Sequence, residues 1–122
     1  MVFSGSDVLC AGLDYARRRV RTANLSQMDA TRMPFFNEFD VICAFDVIEH
    51  IEADTSVLAE MHRATKPGGG IVLTVPQHKW LWSAADDYAH HVRRYSRSEL
   101  TKKVKSAGFE PLIVTSLSLI HI

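Results

Sequence analysis

The fold of this chain is decided by the stretch Phe39-Asp40-Val41-Ile42-Cys43-Ala44-Phe45-Asp46-Val47-Ile48-Glu49-His50-Ile51. From Val41 to Phe45 it is apolar without alternation, which is typical of a strand buried on both faces of a parallel sheet. Three ionisable residues, Asp46, Glu49 and His50, follow at once. Because ligands of open α/β sheets bind just outside the carboxyl ends of the strands, this stretch also predicts the position of a site.

Length and charge exclude several classes of protein. The chain has 122 residues, which suits one domain with one core, and its 14 basic residues balance its 14 acidic ones. A nucleic-acid-binding surface needs a basic excess, so we expect no such partner. No apolar run approaches the ~18 residues of a membrane span, and the first residues do not resemble a signal peptide. Cys10 and Cys43 are predicted to be reduced core thiols, which places the protein in the cytoplasm.

Strand and helix patterns alternate along the chain. Apolar runs predict strands at 1–7, 23–28, 39–45, 71–76 and 111–122. Helical spacing predicts three helices. The first has Leu9, Leu13, Ala16 and Val20 inward. The second begins at Asp54 or Thr55 and has Val57, Leu58, Met61 and Ala64 inward. The third begins with a Ser96–Glu99 capping box and has Leu100, Val104 and Ala107 inward. Lys66-Pro67-Gly68-Gly69-Gly70 is interpreted as the end of the second helix, and 77–95 as a long irregular loop. This alternation predicts an α/β protein with a largely parallel sheet.

Five segments in this order resemble the class I S-adenosylmethionine-dependent methyltransferases, particularly those acting on small molecules. They are Gly5-Ser6-Asp7 with Leu13-Asp14-Tyr15-Ala16-Arg17, Met28-Asp29-Ala30 with Met33-Pro34-Phe35, Phe39-Asp40-Val41, Val47-Ile48-Glu49-His50-Ile51, and Lys66-Pro67-Gly68-Gly69 with Leu73-Thr74-Val75-Pro76. The resemblance implies a Rossmann-like three-layer sandwich with a mostly parallel sheet, formed by residues 1–122 as one partial domain. It also implies S-adenosylmethionine as cofactor and a small-molecule methyl acceptor.

The family's first strand, its glycine-rich loop and its last strand have no counterpart in this sequence. None of the six glycines forms a Gly-x-Gly element that opens a helix. With the family's strand order, the sheet would have gaps beside its central pair, and unpaired backbone groups in a buried gap cost about 1–3 kcal/mol each. Two outcomes avoid this cost: the strands close up into an order that differs from the family's, or a second chain fills the gaps by swapping or edge pairing. We expect the second, in a homo-oligomer.

The cofactor residues implied by the resemblance follow three strands. Asp7 would accept hydrogen bonds from the ribose hydroxyls, although it could equally serve only as a helix cap. Asp29 would accept from the adenine amino group, with Met28 and Ala30 beside the ring; alternatively it is a turn aspartate. Asp46 is also assigned to the cofactor side.

Glu49 and His50 have three interpretations. They satisfy backbone groups of a strand-to-helix loop, or one of them is the general base that takes a proton from the acceptor, or they bind a divalent metal together with Asp46. The Asp-x-x-Glu-His spacing is similar to that of the metal-dependent O-methyltransferases of ubiquinone biosynthesis, but no metal is expected here. His78 is predicted as a further catalytic residue.

The loop 77–95 is similar to a loop in one branch of the family and is interpreted as a lid over the acceptor. Aromatic rings and forked donors recur where ligands are held. The predicted substrate residues are Trp80, Trp82, His91, Arg93, Arg94 and Tyr95, with Arg93 or Arg94 pairing a carboxylate or phosphate. The alternative is a loop that packs its tryptophans on the sheet and exposes its arginines to solvent.

Three functions stay open on the sequence. The first is methyl transfer to a small-molecule oxygen, nitrogen or carbon. The second is a truncated, cofactor-free homodimeric fragment, for which the missing glycine loop argues. The third is a binding module that holds an anion with the 78–95 loop and carries out no reaction.

Overall fold

The computed structural model describes residues 1–116 and contains four strands and four helices there. The strands are β1 (Ser4–Asp7), β2 (Asn24–Gln27), β3 (Phe39–Phe45) and β4 (Thr65–Thr74). The helices are α1 (Cys10–Arg19), α2 (Asp54–Ala64), α3 (Ala84–Tyr88) and α4 (Arg97–Ser106), with 3₁₀ turns at Ile48–His50 and Lys79–Leu81. The predicted α/β class and the order of the first four strands are confirmed.

The strands form two parallel pairs. β1 pairs with β2 in the register Ser4 to Asn24, and β3 pairs with β4 in the register Val41 to Gly70. Within residues 1–116 no ladder of hydrogen bonds joins the two pairs. Parallel pairing is therefore as predicted, but the sheet is divided, and the strands have not closed up into a different order.

The glycines at 68–70 lie within β4 and do not end α2. The helix already ends at Ala64, where the Thr65 hydroxyl donates a 2.7 Å hydrogen bond to the Met61 carbonyl. The chain then pairs Thr65 with Phe39, and the register shifts before Val41. A Cβ on Gly69 would lie 2.5 Å from the Asp40 carbonyl oxygen, so this close approach of two strands requires glycine.

The core lies against α2, whose predicted inward residues are all buried: Val57, Leu58, Met61 and Ala64. Met33, Ile48 and Tyr95 complete the cluster, and the predicted inward residues of α4 pack against it. The Ser96 hydroxyl accepts a hydrogen bond from the Glu99 amide, which confirms half of the capping box. The Glu99 carboxylate instead accepts a 2.6 Å hydrogen bond from Lys79.

The prediction that β3 is buried on both faces is wrong. Ile42 and Ala44 pack against the core, but Val41 and Phe45 are 57% and 60% exposed and Cys43 is exposed. Exposure alternates because α2 packs on one face of the β3–β4 pair, while no layer covers the other face within residues 1–116. This face of the β3–β4 pair is therefore open within residues 1–116, while the α/β class and the parallel strands are as the resemblance implies.

Other predictions were also wrong in detail. Both cysteines are free, as expected, but neither is in the core. Cys10 lies on α1, which buries only Leu13, while Leu9 and Val20 at its two ends are exposed. Cys43 lies on the exposed face of β3. The loop 77–95 contains α3 and a 3₁₀ turn. A strand was predicted over residues 111–122. Residues 111–116 form no strand, and residues 117–122 lie outside the described part of the chain. No helix in the described part is long and apolar enough to cross a membrane.

Candidate functional site

Asp7 ends β1 with a carboxylate held in a fixed position. Its Oδ1 accepts a 2.9 Å hydrogen bond from the Leu9 amide, which closes a local turn before α1. The first turn of α1 has no side-chain cap, so Asp7 does not cap this helix. A Cβ on Gly12 would lie 2.6 Å from Oδ2, so α1 can approach the carboxylate only because this residue is glycine. The Asp7 side chain is exposed. The backbone carbonyl of Asp7 accepts a 2.9 Å hydrogen bond from the Met28 amide, which places the start of the loop after β2 beside Asp7.

Asp29 follows β2 on the same sheet edge. Its Oδ1 accepts hydrogen bonds from the Thr31 hydroxyl at 2.6 Å and from the Thr31 amide at 2.9 Å. These hydrogen bonds lower the pKa of Asp29, so the exposed carboxylate is an ionised acceptor. Met28 and Ala30, on either side, are half-buried against the core. The arrangement offers two carboxylates and an apolar strip at the carboxyl ends of β1 and β2.

Asp46 follows β3 with a backbone φ of 54°, a left-handed conformation that Asp tolerates better than most residues. Its amide donates to the carbonyl and the hydroxyl oxygen of Thr74 at 3.0 and 3.1 Å, which fixes the turn to the end of β4. This sharp turn leads directly into the 3₁₀ turn that carries Glu49 and His50.

Glu49 is fully buried, and no described residue forms a hydrogen bond with either of its carboxylate oxygens. Its Oε1 lies 3.7 Å from His50 Nε2 and 3.9 Å from His91 Nε2. Burial raises the pKa of Glu49, and the nearby charge of Asp46 acts in the same direction. The two imidazole rings contact each other edge to face, with centroids 4.7 Å apart. The structure thus unites two predicted catalytic residues with one predicted substrate residue.

His91 is oriented by a buried ion pair. Its Nδ1 lies 2.9 Å from Asp86 Oδ1, and Arg94 donates to both Asp86 oxygens at 2.8 Å. The hydrogen bonds from Arg94 hold the pKa of Asp86 far below its usual range. Asp86 also accepts from the Ser83 amide at the start of α3. With Nδ1 facing the carboxylate, the Nε2 atom of His91 is directed towards Glu49.

Arg93 and Tyr95 fix the end of the same loop to the start of α2. Arg93 donates to the carbonyls of Ile51 and Glu52 at 2.6 and 2.8 Å. Tyr95 is buried, and its hydroxyl donates to Asp54 at 2.6 Å. Burial and this hydrogen bond raise the pKa of Tyr95. Arg93, Arg94 and Tyr95 thus contact the protein itself, and their predicted contact with an acceptor stays a prediction.

The remaining predicted residues lie at the 3₁₀ turn of the loop. His78 packs against Trp80, with ring centroids 5.5 Å apart, and is not among the groups that meet at Glu49. Trp80 is 78% exposed, whereas Trp82 donates its indole N–H to Asp87 at 3.1 Å. Neither tryptophan is in the core, which contradicts the alternative that they pack on the sheet.

Sequence reasoning missed Asp86, the residue that orients His91. A signal was present, since Ser83-Ala84-Ala85-Asp86 has the spacing of a capping box. In the structure the Ser83 hydroxyl accepts from a backbone amide of the first turn, and Asp86 accepts from the Ser83 amide. Recognising that helix start would have identified Asp86 as a carboxylate fixed at the beginning of a helix.

The chain is similar to known proteins over nearly its whole length. A family described as a methyltransferase domain matches residues 4–114. A curated protein of Mycolicibacterium smegmatis, named "Probable S-adenosylmethionine-dependent methyltransferase", is 29% identical over 112 residues, which make up 88% of this chain and 40% of that protein. This chain therefore spans about two fifths of that relative.

Solved structures share the fold. A SAM-dependent methyltransferase of Thermotoga maritima superposes with a TM-score of 0.77 at 21% identity, covering 89% of this chain and 55% of that one. Phosphoethanolamine N-methyltransferase 2 of Haemonchus contortus, solved in complex with S-adenosyl-L-methionine, gives a TM-score of 0.68 at 23% identity, covering 87% of this chain and 27% of that one.

Proposed function

This chain belongs to the methyltransferase domain family, and from that premise we propose that the protein transfers a methyl group from S-adenosylmethionine to a small-molecule acceptor. The observation that carries the proposal is the pair of exposed carboxylates, Asp7 and Asp29, at the carboxyl ends of β1 and β2. The chain covers part of its relatives' length, so the activity belongs to the whole protein.

The proposed cofactor contact is with the nucleoside. A ribose offers two neighbouring hydroxyl donors, and Asp7 has an exposed carboxylate whose Oδ1 is fixed by the Leu9 amide. The adenine amino group would donate to Asp29, whose lowered pKa keeps it an acceptor. Met28 and Ala30 supply apolar contact for the ring, since both lie half-buried next to Asp29. These donor and acceptor types fit the adenosine part of the cofactor. Asp46 would lie nearer to the sulfonium that carries the transferred methyl group.

The acceptor would lie near Glu49 and His50. Methyl transfer from a sulfonium is an in-line displacement with a good leaving group, so alignment of donor and acceptor contributes most of the catalysis. A base is needed when the acceptor is a hydroxyl, and a carboxyl group with a raised pKa or an imidazole suits that task. His78, Trp80 and Trp82 would line the acceptor side, as the sequence predicts. Arg93, Arg94 and Tyr95 would instead hold the loop in place, because they are engaged with protein oxygens.

Calorimetry with S-adenosylmethionine tests the proposal. We expect micromolar affinity for the native chain, and loss of binding in Asp7→Ala because the ribose hydroxyls lose their acceptor. Asp14→Ala, which removes an exposed carboxylate from the middle of α1, is the matched control and should bind as the native chain does. No heat up to millimolar cofactor, or unchanged binding by Asp7→Ala, would refute the proposed cofactor contact.

A cofactor-free homo-oligomer is the second candidate, and the two separate strand pairs favour it. Among residues 1–116 each pair has unpaired edges, which can add a strand from another copy. Sedimentation velocity over a range of concentrations decides whether such pairing occurs, and a monomer at all concentrations would contradict it. A cytoplasmic setting is part of either proposal, because both cysteines are free. The anion-binding alternative has less support, since Arg93 and Arg94 donate to protein oxygens.

A further inference from the structure

The side chains around Glu49 have the composition of a metal site. We propose that Glu49, His50 and His91 together bind one divalent transition-metal cation, with Zn²⁺ as the fitting class. The sequence spacing suggests a different set, Asp46, Glu49 and His50. In the structure the third ligand is His91, which lies in the loop before α4 and follows His50 by 41 residues.

The first argument is the state of Glu49. A carboxylate that is removed from water needs hydrogen bonds or a cation, because burying it without either is costly. Glu49 is 0% exposed, and among residues 1–116 neither oxygen has a hydrogen-bond donor. The two imidazoles lie 3.7 and 3.9 Å from Glu49 Oε1, which is too far for hydrogen bonds.

The second argument is distance. One ligand atom from each of the three residues lies within 4.8 Å of the others. Bonds of about 2.0–2.2 Å to a tetrahedral ion place two ligand atoms about 3.3–3.5 Å apart. The separations of 3.7 and 3.9 Å from Glu49 Oε1 are a few tenths of an ångström wider than this, and the three ligand atoms as a set lie within 4.8 Å of one another. Side-chain rotations would therefore close the three atoms on an ion.

The third argument is the hydrogen bond behind His91. Histidines that bind metals almost always donate their other ring N–H to a carboxylate or a carbonyl, which fixes the tautomer and directs the free nitrogen at the ion. Asp86 Oδ1 lies 2.9 Å from His91 Nδ1, and Asp86 is itself buried and held by Arg94. This arrangement leaves His91 Nε2 as the ligand atom that faces Glu49.

The fourth argument is access. The side chain of His50 is 39% exposed and that of His91 is 18% exposed, whereas Glu49 is not exposed. An ion could thus enter between the imidazoles, and a coordination position would stay open towards solvent. Two imidazoles and one carboxylate favour Zn²⁺ over Mg²⁺, which prefers oxygen ligands. Cation binding stands on this geometry alone, and only a role towards the methyl acceptor would rest on the proposed function.

Calorimetry on the untagged chain, treated with a chelator and titrated with Zn²⁺ without cofactor, tests the proposal. We expect one ion per chain and negligible heat with Mg²⁺. His50→Asn and His91→Asn should each weaken binding at least tenfold, and Asp86→Asn by about 10- to 100-fold. His90→Asn is the matched control, because His90 is adjacent and has a φ of 58°, which Asn tolerates; it should bind as the native chain does.

Two readouts keep the test decisive if a variant folds poorly. Co²⁺ in place of Zn²⁺ should give the visible absorption of a four-coordinate site in the native chain and not in Glu49→Gln, whose side chain has the same shape. Added Zn²⁺ should raise the Tm of the native chain but not that of Glu49→Gln. Absence of Zn²⁺ binding, preference for Mg²⁺, or equal losses in His90→Asn and His91→Asn would overturn the proposal. Failure here leaves the cofactor test with Asp7→Ala unaffected.

Discussion

The hydroxyl of Tyr95 donates a 2.6 Å hydrogen bond to Asp54 Oδ2, which joins the end of the 77–95 loop to the first residue of α2. Lys103 of α4 donates to the same oxygen at 2.6 Å, and Arg93 lies 3.4 Å from it. The loop end and α4, both about 40 to 50 residues after Asp54 in the sequence, therefore meet α2 at one buried carboxylate. This contact holds the loop that supplies His91 against the turn that supplies Glu49.

Tyr95→Phe should destabilise the protein. The substitution keeps the buried ring and removes one hydrogen bond to a charged group, for which we expect a loss of about 1–3 kcal/mol in the free energy of unfolding. Urea unfolding followed by circular dichroism measures it. Tyr88→Phe is the control: Tyr88 is 89% exposed, and the change should stay within about 0.5 kcal/mol. Equal changes in the free energy of unfolding for the two substitutions would show that the hydrogen bond to Asp54 does not stabilise the protein.

Acid should remove the stabilisation that Asp54 provides. Burial acts to raise the pKa of this carboxyl group, but the hydrogen bonds from Lys103 and Tyr95 outweigh it, and the pKa in the folded state lies below its usual value. The stabilisation is thus present above the pKa of the unfolded state, about 3.9, and is lost as the pH falls through the folded-state value. The free energy of unfolding, measured between about pH 6 and pH 2, should fall less steeply in Asp54→Asn than in the native chain.

The control for that experiment is Asp14→Asn, which removes an exposed carboxylate from α1. Its acid profile should follow that of the native chain. A profile of Asp54→Asn that is parallel to the native one at every pH would mean that Asp54 does not titrate differently in the folded and unfolded states.

Gly69→Ala should destabilise the β3–β4 pair. The added methyl group would lie 2.5 Å from the Asp40 carbonyl oxygen and 2.8 Å from the Thr65 methyl group, so the two strands would have to separate. Overpacking of this kind costs about 1–3 kcal/mol, which thermal or urea unfolding detects. Gly70→Ala is the neighbouring control, because a Cβ there meets no atom within 4 Å. A loss in Gly70→Ala as large as that in Gly69→Ala would contradict the close approach.

Both thiols should react in the native chain. Cys10 and Cys43 are exposed, and Cys43 shares the outer face of β3 with Val41 and Phe45. Titration of the dilute native chain with a thiol-specific chromogenic disulfide should give two thiols per chain, at rates comparable to those in denaturant. Cys10→Ser isolates Cys43. Protection of Cys43 in that variant would show that this face is covered, for example by a second copy.

The sequence predicted elements well where local spacing controls them. The inward residues of α2 were all correct because they repeat at helical spacing beside a charged outer face. Ser96 began α4 as expected because a hydroxyl that accepts from a backbone amide acts over three residues. The interpretation of the glycines at 68–70 failed, since it depended on the partner strand: Asp40, distant in sequence, approaches Gly69.

The candidate site was predicted only in part. The order of Asp46, Glu49 and His50 after an apolar strand predicts from the sequence alone that they lie at a strand end. Their relation to His91 could not be read from the chain, because it depends on how the 77–95 loop folds back. Asp86 and Arg94 decide this fold-back, and their ion pair joins α3 to the residues before α4.

The sequence by itself determined the α/β class, the parallel strands and the acids that follow them, because hydrophobic periodicity and short-range hydrogen bonds act between residues near each other in the chain. Only the tertiary structure decided that β3 has an exposed face, and that Glu49 is buried beside His50 and His91 with no hydrogen bond to its carboxylate from the described residues. Burial and unmet hydrogen bonds are properties of packed surroundings, and those surroundings come from segments distant in sequence.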